Sequence, residues 1–139
     1  MGSSDADGVV RPVIRGEVLA GDGARIQTLF LIDTGADRTV FSANIFTALR
    51  RLPLTQTEQL GGVGGRVTAV LVETQIEIQR DDGGIAVFRG QFAALTDPEA
   101  LDMSVLGRDI SNVFAVIVDR PRDVICLLGQ QHRYVITKQ

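Results

Sequence analysis

The sequence predicts a mostly-β single domain, a barrel or sandwich with one or two short helices. Three observations lead there. Runs rich in β-branched residues stop at Gly/Asp turns, Ala20-Gly21-Asp22-Gly23 and Asp81-Asp82-Gly83-Gly84. Residues 66–79 alternate apolar and polar side chains with period two. Helical spacing is confined to two short stretches. With 139 residues, 45% hydrophobic and 22% charged, the chain fits one domain with a real core rather than a disordered polyelectrolyte.

In chain order, residues 1–8 (MGSSDADG) are small, polar and acidic. They are expected to form a disordered tail ahead of one domain over residues 9–139. Residues 9–19 read as a strand that turns through Ala20–Gly23 into a second strand over 25–32. The end of that strand, Leu29-Phe30-Leu31-Ile32, is continuously apolar, the pattern of a strand buried on both faces. Thr39-Val40-Phe41 is a short strand, with Ser42 placed to cap a helix over 44–52. There Ile45, Phe46, Ala48, Leu49 and Leu52 recur at helical spacing before Pro53. In residues 66–79, Val72, Thr74, Ile76 and Ile78 share one face, and Glu73, Gln75, Glu77 and Gln79 the other. One covered and one wet face fits an antiparallel sheet. A strand over 85–95, a polar loop and a short helix over 104–112 follow. Strands at 113–118 and 124–128 flank the turn Asp119-Arg120-Pro121-Arg122-Asp123, and 134–137 adds a last strand.

Composition excludes several function classes. The formal net charge is -3 with no basic run, so nothing marks a nucleic-acid surface. The single cysteine, Cys126, leaves no intrachain disulfide and is expected as a buried core thiol. The single histidine, His132, rules out a multi-histidine metal site and is expected in a loop. Asp81 and Asp82 read as turn residues, because no calcium-loop pattern of acids follows. No metal or cofactor is implied. No signal-peptide pattern is present, and no apolar run approaches the ~20 residues of a membrane span. Myristoylation at Gly2 would want Ser or Thr where Ala6 stands. A cytoplasmic location and no membrane segment are the expectations.

Three segments carry chemistry. The first is Leu31-Ile32-Asp33-Thr34-Gly35-Ala36-Asp37, a carboxylate at the end of an apolar strand followed by a tight-turn glycine. Such an acid needs hydrogen bonds to hold it, and Thr34 and the N–H groups around Gly35 can supply them. Taken alone, the motif fits a strand-end turn as well as catalysis. The second is Leu60-Gly61-Gly62-Val63-Gly64-Gly65-Arg66, starting 28 residues after Asp33 with Gly61. It reads as a pliable hairpin tip or as a flap over an extended ligand. No Gly-Lys-Ser/Thr follows it, so it is not a phosphate loop. The third is Val105-Leu106-Gly107-Arg108-Asp109, by itself an ordinary strand-to-helix junction.

In this order and spacing the three segments resemble the retroviral-type (retropepsin-like) aspartic protease family, over residues 11–128. The resemblance implies a closed β-barrel or sandwich with a glycine-rich flap hairpin. It implies Asp33 as the catalytic carboxylate, Thr34 as the residue gripping its twofold mate, and Gly35 as the tight turn. Gly61, Gly62, Val63, Gly64 and Gly65 would form the flap. Ala36, Asp37, Arg38 and Val105 would line substrate pockets, and Arg108 would pair with Asp37 as a structural ion pair. Aspartic proteolysis uses two carboxylates around one water. The sequence has one Asp-Thr/Ser-Gly turn, so an active enzyme would be a homodimer acting on a peptide or protein substrate.

Ala36 has no hydroxyl to donate to the neighbouring carboxylate, so mildly acidic rather than strongly acidic activity is expected. Arg38 would favour acidic groups on the substrate. Compared with compact viral enzymes, the first hairpin is longer and 30 residues follow Asp109. Residues 130–139 either pair at the dimer contact or cap the barrel. The leading reading is a metal-free homodimeric aspartic endopeptidase. The alternative is a catalytically silent module of the same fold that binds peptides or partners.

Overall fold

The computed structural model describes residues 2–4, 10–49, 52, 54–62 and 65–128. In chain order its elements are β1 (Gly2–Ser4), β2 (Val10–Leu19), β3 (Arg25–Ile32), β4 (Val40–Phe41), α1 (Ala43–Leu49), β5 (Leu54–Gly62) and β6 (Gly65–Gln79). There follow β7 (Ile85–Leu95), β8 (Ser104–Leu106), α2 (Arg108–Ser111), β9 (Ala115–Asp119) and β10 (Val124–Leu128).

The main sheet runs β1-β2-β3-β8-β4-β7-β6-β5, and a further pairing of β2 with β6 closes β2-β3-β8-β4-β7-β6 into a six-stranded barrel. Length makes this closure possible. β6 spans 15 residues, pairing through Val72 and earlier residues with β5 and through Ile76 and Glu77 with β2. The seam sets Glu17 opposite Glu77, a like-charge pairing that is unfavourable on its own. Arg25 forms an ion pair with Glu77, and Gln27 Nε2 donates to Glu17 Oε1 at 2.7 Å.

Two hairpins share one turn chemistry. Gly23 and Gly83 take φ of 87° and 88°, the left-handed region that glycine enters without a Cβ penalty. In each turn the preceding aspartate accepts an N–H two residues on, Asp22 from Ala24 at 3.0 Å and Asp82 from Gly84 at 2.9 Å.

Inside the barrel Phe30, Phe41 and Phe92 stack in series, with ring centroids 6.2 Å and 5.8 Å apart. Phe41 sits on a strand of only two residues, so its ring is the main anchor of β4 in the core. Phe41→Ala is therefore expected to cost about 3–5 kcal/mol, read as a lower urea midpoint.

Several elements differ from expectation. β3 alternates instead of being buried on both faces: Phe30 and Ile32 point inward, while Leu29 is 43% exposed. A barrel wall has one inner face, and among the described residues no second layer covers this stretch. Ser104–Leu106 is a strand rather than the start of a helix, because it pairs in parallel with Phe30–Ile32 and its Val105 pairs with Val40. Helix is confined to Arg108–Ser111. Gly2–Ser4, within the tail expected to be disordered, pairs with residues 10–12 of β2. β5 supplies the first strand of the glycine-rich hairpin, whose tip the sequence marks without giving this strand's bounds. Cys126 is half-buried on β10 rather than in the core. His132, Pro53 and residues 134–137 lie outside the described residues. No helix among those described is long and apolar enough to cross a membrane.

Candidate active site

β3 delivers Asp33 to the end of the barrel. Strand β8 lies between β3 and β4, so the chain linking those two strands, residues 33–39, loops over the end of β8. Asp33 N–H donates to Leu106 O at 3.2 Å, tying the carboxylate's own backbone to β8. The turn then closes on the acid. Gly35 N–H donates to Asp33 Oδ1 at 2.9 Å, and Ala36 N–H donates to Asp33 O at 3.2 Å. A half-buried carboxylate is thus held by a backbone N–H, while Thr34 and Gly35 are exposed in the single chain.

The junction of β8 and α2 supports the other arm of the loop. Arg108 N–H donates to Ala36 O at 2.8 Å, and the Arg108 guanidinium pairs with Asp37. Both side chains of that pair are well exposed, so it contributes about 0–1 kcal/mol and acts chiefly through geometry. The buried Thr39 gives its N–H and its hydroxyl to Asp109, at 2.9 Å to Oδ2 and 2.7 Å to Oδ1. Gly107 N–H in turn donates to Thr39 Oγ1 at 3.1 Å. Just beyond, Ser42 N–H donates to Ser104 Oγ at 3.0 Å. Residues 36–42 are therefore clamped to residues 104–109 by the side chains of Asp37, Thr39, Ser104, Arg108 and Asp109 and by one backbone hydrogen bond.

The structure gathers Asp33, Thr34, Gly35, Ala36, Asp37 and Arg38 in this one loop. Val105 lies behind it in β8, 7% exposed and paired with Leu31 and Val40. Gly61, Gly62 and Gly65 belong to the β5–β6 hairpin, where Gly61 pairs with Arg66 and Gly62 with Gly65. Val63 and Gly64 lie outside the described residues. Among those described, no three His, Cys, Asp or Glu side chains gather as metal ligands.

Sequence reasoning missed the roles of Thr39 and Asp109. Asp109 stood in a noted motif and Thr39 in a noted strand, but no spacing rule joins residues 70 positions apart. The expected result for Asp109→Ala is a loss of about 1–3 kcal/mol, since a buried N–H and hydroxyl lose their acceptor. Asp109→Asn keeps one acceptor oxygen and should lose less; urea melts of the pair check the order.

A family profile described as "Aspartyl protease" matches residues 16–131. A retropepsin-like aspartic protease from Rickettsia conorii has a similar structure, with TM-score 0.54 and 20% identity, covering 90% of this chain and 86% of that one. The EIAV protease complexed with the inhibitor HBY-793 is also similar, with TM-score 0.52 and 22% identity, covering 73% and 86% respectively. At these identities the likeness is one of fold. Among curated proteins, none matches the chain in sequence.

Proposed function

Since the chain belongs to the aspartyl protease family, we propose that it is an aspartic endopeptidase that works as a homodimer, one Asp33 from each chain flanking a single water. The observation that carries this reading is the Asp33 turn. A half-buried carboxylate stands at the end of a barrel strand, gripped by the Gly35 N–H at 2.9 Å, with its neighbours Thr34 and Gly35 open to a second chain. The sequence holds one such turn, so one chain supplies half of a two-carboxylate site.

In the mechanism, the ionised Asp33 accepts a proton from the water as its oxygen attacks the scissile carbonyl carbon. The protonated Asp33 of the other chain donates to the carbonyl oxygen. At this point the two carboxyl groups have exchanged protonation states. As the tetrahedral diol collapses, the newly protonated Asp33 gives its proton to the leaving amine nitrogen and its mate takes a proton from a diol hydroxyl, so the C–N bond breaks, the acid and amine leave, and both carboxyl groups return to their starting forms. Thr34 holds its mate across the twofold axis. The hairpin tip formed by Gly61, Gly62, Val63, Gly64 and Gly65 closes over an extended peptide, its near side-chain-free backbone supplying hydrogen bonds. Ala36, Asp37, Arg38 and Val105 shape the pockets, and the Arg108–Asp37 pair keeps the pocket-forming arm in place.

Dilution tests the homodimeric site. Specific cleavage of denatured casein between about pH 4 and 7 should fall on dilution in step with the dimer fraction from sedimentation, and pepstatin should block it. Undiminished cleavage by a sample shown to be monomeric would overturn the reading.

A further inference from the structure

We propose that an open hollow at the root of the β5–β6 hairpin binds short peptides with free ends and an apolar side chain, and so restrains the hairpin. The inference rests on the peptidase reading above and adds a second peptide site, apart from Asp33.

β6 changes partners along its length. It pairs with β5 up to Val72 and with β2 from Ile76, so Glu73, Thr74 and Gln75 face no strand on that side among the described residues. All three still pair with β7, opposite Gln91, Gly90 and Arg89. Successive residues of an antiparallel strand direct their N–H and C=O groups to opposite sides. At least one of the three therefore aims a backbone donor and acceptor into the gap. The ladder to β2 stops because β2 turns away there toward β3. By register Leu19 would pair next with Gln75; instead its carbonyl accepts the Thr74 hydroxyl at 2.6 Å.

The gap opens into a hollow of about 530 Å³, a size suited to a small ligand. Leu19 and Leu52 wall it. Gly21 N–H donates to Leu49 O at 2.6 Å, which ties the end of α1 to the β2–β3 turn and holds the two walls in place. Gly90 leaves the floor bare. Phe88 and Phe92, two residues to either side, pack into the core, while a Cβ at Gly90 would meet nothing within 4 Å. Glu73 and Arg89 stand exposed at the rim. Arg89 Nε donates to Gln75 Oε1 at 3.0 Å, which orients the guanidinium. Among the described residues, neither Glu73 nor Arg89 forms an ion pair.

This chemistry names the ligand. Strand-edge backbone takes an amide, Arg89 a carboxylate, Glu73 an ammonium, and Leu19 and Leu52 an apolar side chain. A dipeptide or tripeptide carries all four groups, and an endopeptidase releases such peptides. Position names the effect. Up to Val72, β6 belongs to the glycine-tipped hairpin; from Ile76 it belongs to the barrel wall. Residues 73–75 are the joint between them. A peptide lodged across the joint links the hairpin root to β2 and slows the opening and closing of the tip.

Leucyl-leucine titrated into the full chain tests the site. Backbone amide chemical shifts should move at Thr74 and Gly90, equally with and without saturating pepstatin. Glu73→Gln and Arg89→Gln change exposed side chains outside the catalytic turn, and each should raise Kd about fivefold. N-acetyl-leucyl-leucine amide, which lacks both charged ends, should bind at least about tenfold more weakly than leucyl-leucine. Gly90→Leu, whose side chain fills the floor, should abolish binding. In casein assays leucyl-leucine should lower kcat and leave KM little changed. Wild-type Kd in both Glu73→Gln and Arg89→Gln, or loss of the shifts once pepstatin is bound, would overturn the site. A rise in KM alone would overturn its action on the hairpin. Shifts at Thr74 and Gly90 in a chain that cleaves nothing would sink the peptidase reading alone. Cleavage of casein without those shifts would sink the second site alone.

Discussion

Asp33→Asn abolishes peptide hydrolysis while the fold persists: kcat/KM on denatured casein is expected to fall by about 10⁴-fold or more, the scale of an acid and a base removed together. The two effects separate because of how the turn is built. Asn keeps an oxygen at the place of Oδ1, so the 2.9 Å bond from Gly35 N–H survives. Asp33 N–H still donates to Leu106 O, a contact that belongs to the backbone. What is lost is the ability to take a proton from water and return one to the carbonyl oxygen. In a twofold dimer a single substitution removes both members of the dyad. Mixing variant and wild-type chains should therefore depress activity faster than the wild-type fraction falls, because mixed dimers carry one carboxylate. Unchanged circular dichroism with lost cleavage is the expected pair of readings. Substantial cleavage by the purified variant would mean that Asp33 is not the acid.

Gly107→Ala is expected to lower stability by about 3 kcal/mol, on the scale of a large core truncation although it adds only one methyl group. A Cβ at Gly107 would stand 2.3 Å from the carbonyl carbon of Arg38, 2.4 Å from its oxygen and 2.8 Å from its nitrogen. All three are backbone atoms, so no rotamer change relieves the contact. Arg38 cannot retreat cheaply. On one side Asp37 is paired with Arg108, and on the other Thr39 is bonded to Asp109. Moving residues 36–39 aside would also strain the Asp33 turn, and an active-site displacement of about 1 Å can cost ~10²-fold in rate. A lowered urea midpoint with an unchanged slope is the expected reading. Gly90→Ala is the control: its Cβ would meet nothing within 4 Å, and the midpoint should stay the same or rise slightly. Equal midpoints for Gly107→Ala and wild type would show that the loop over β8 is not held as described.

The fold class and several of its parts were legible in the sequence for local reasons. Period-two alternation over residues 66–79 reports a strand with one wet face, and β6 buries Val72, Ile76 and Ile78 on the other. Gly23 and Gly83 mark hairpins because the left-handed turn conformation is nearly theirs alone. Leu29 misled because an apolar run reports composition and not the number of covering layers. Ser104–Leu106 misled for a related reason: three residues have too little periodicity to declare a strand, and only the parallel ladder from β3 makes them one.

Turn chemistry, alternation and motif order are properties of neighbouring residues, and they suffice to mark this chain as a β-rich aspartyl protease relative with one Asp-Thr-Gly turn. The remaining features come from long-range pairing. It placed β8 between β3 and β4, closed the barrel at Glu17 and Glu77, and joined Thr39 to Asp109. It also set β9 and β10 apart as a two-stranded sheet of their own. Each of these depends on residues far apart in the chain whose partners are chosen by closure of the sheet and burial of the core.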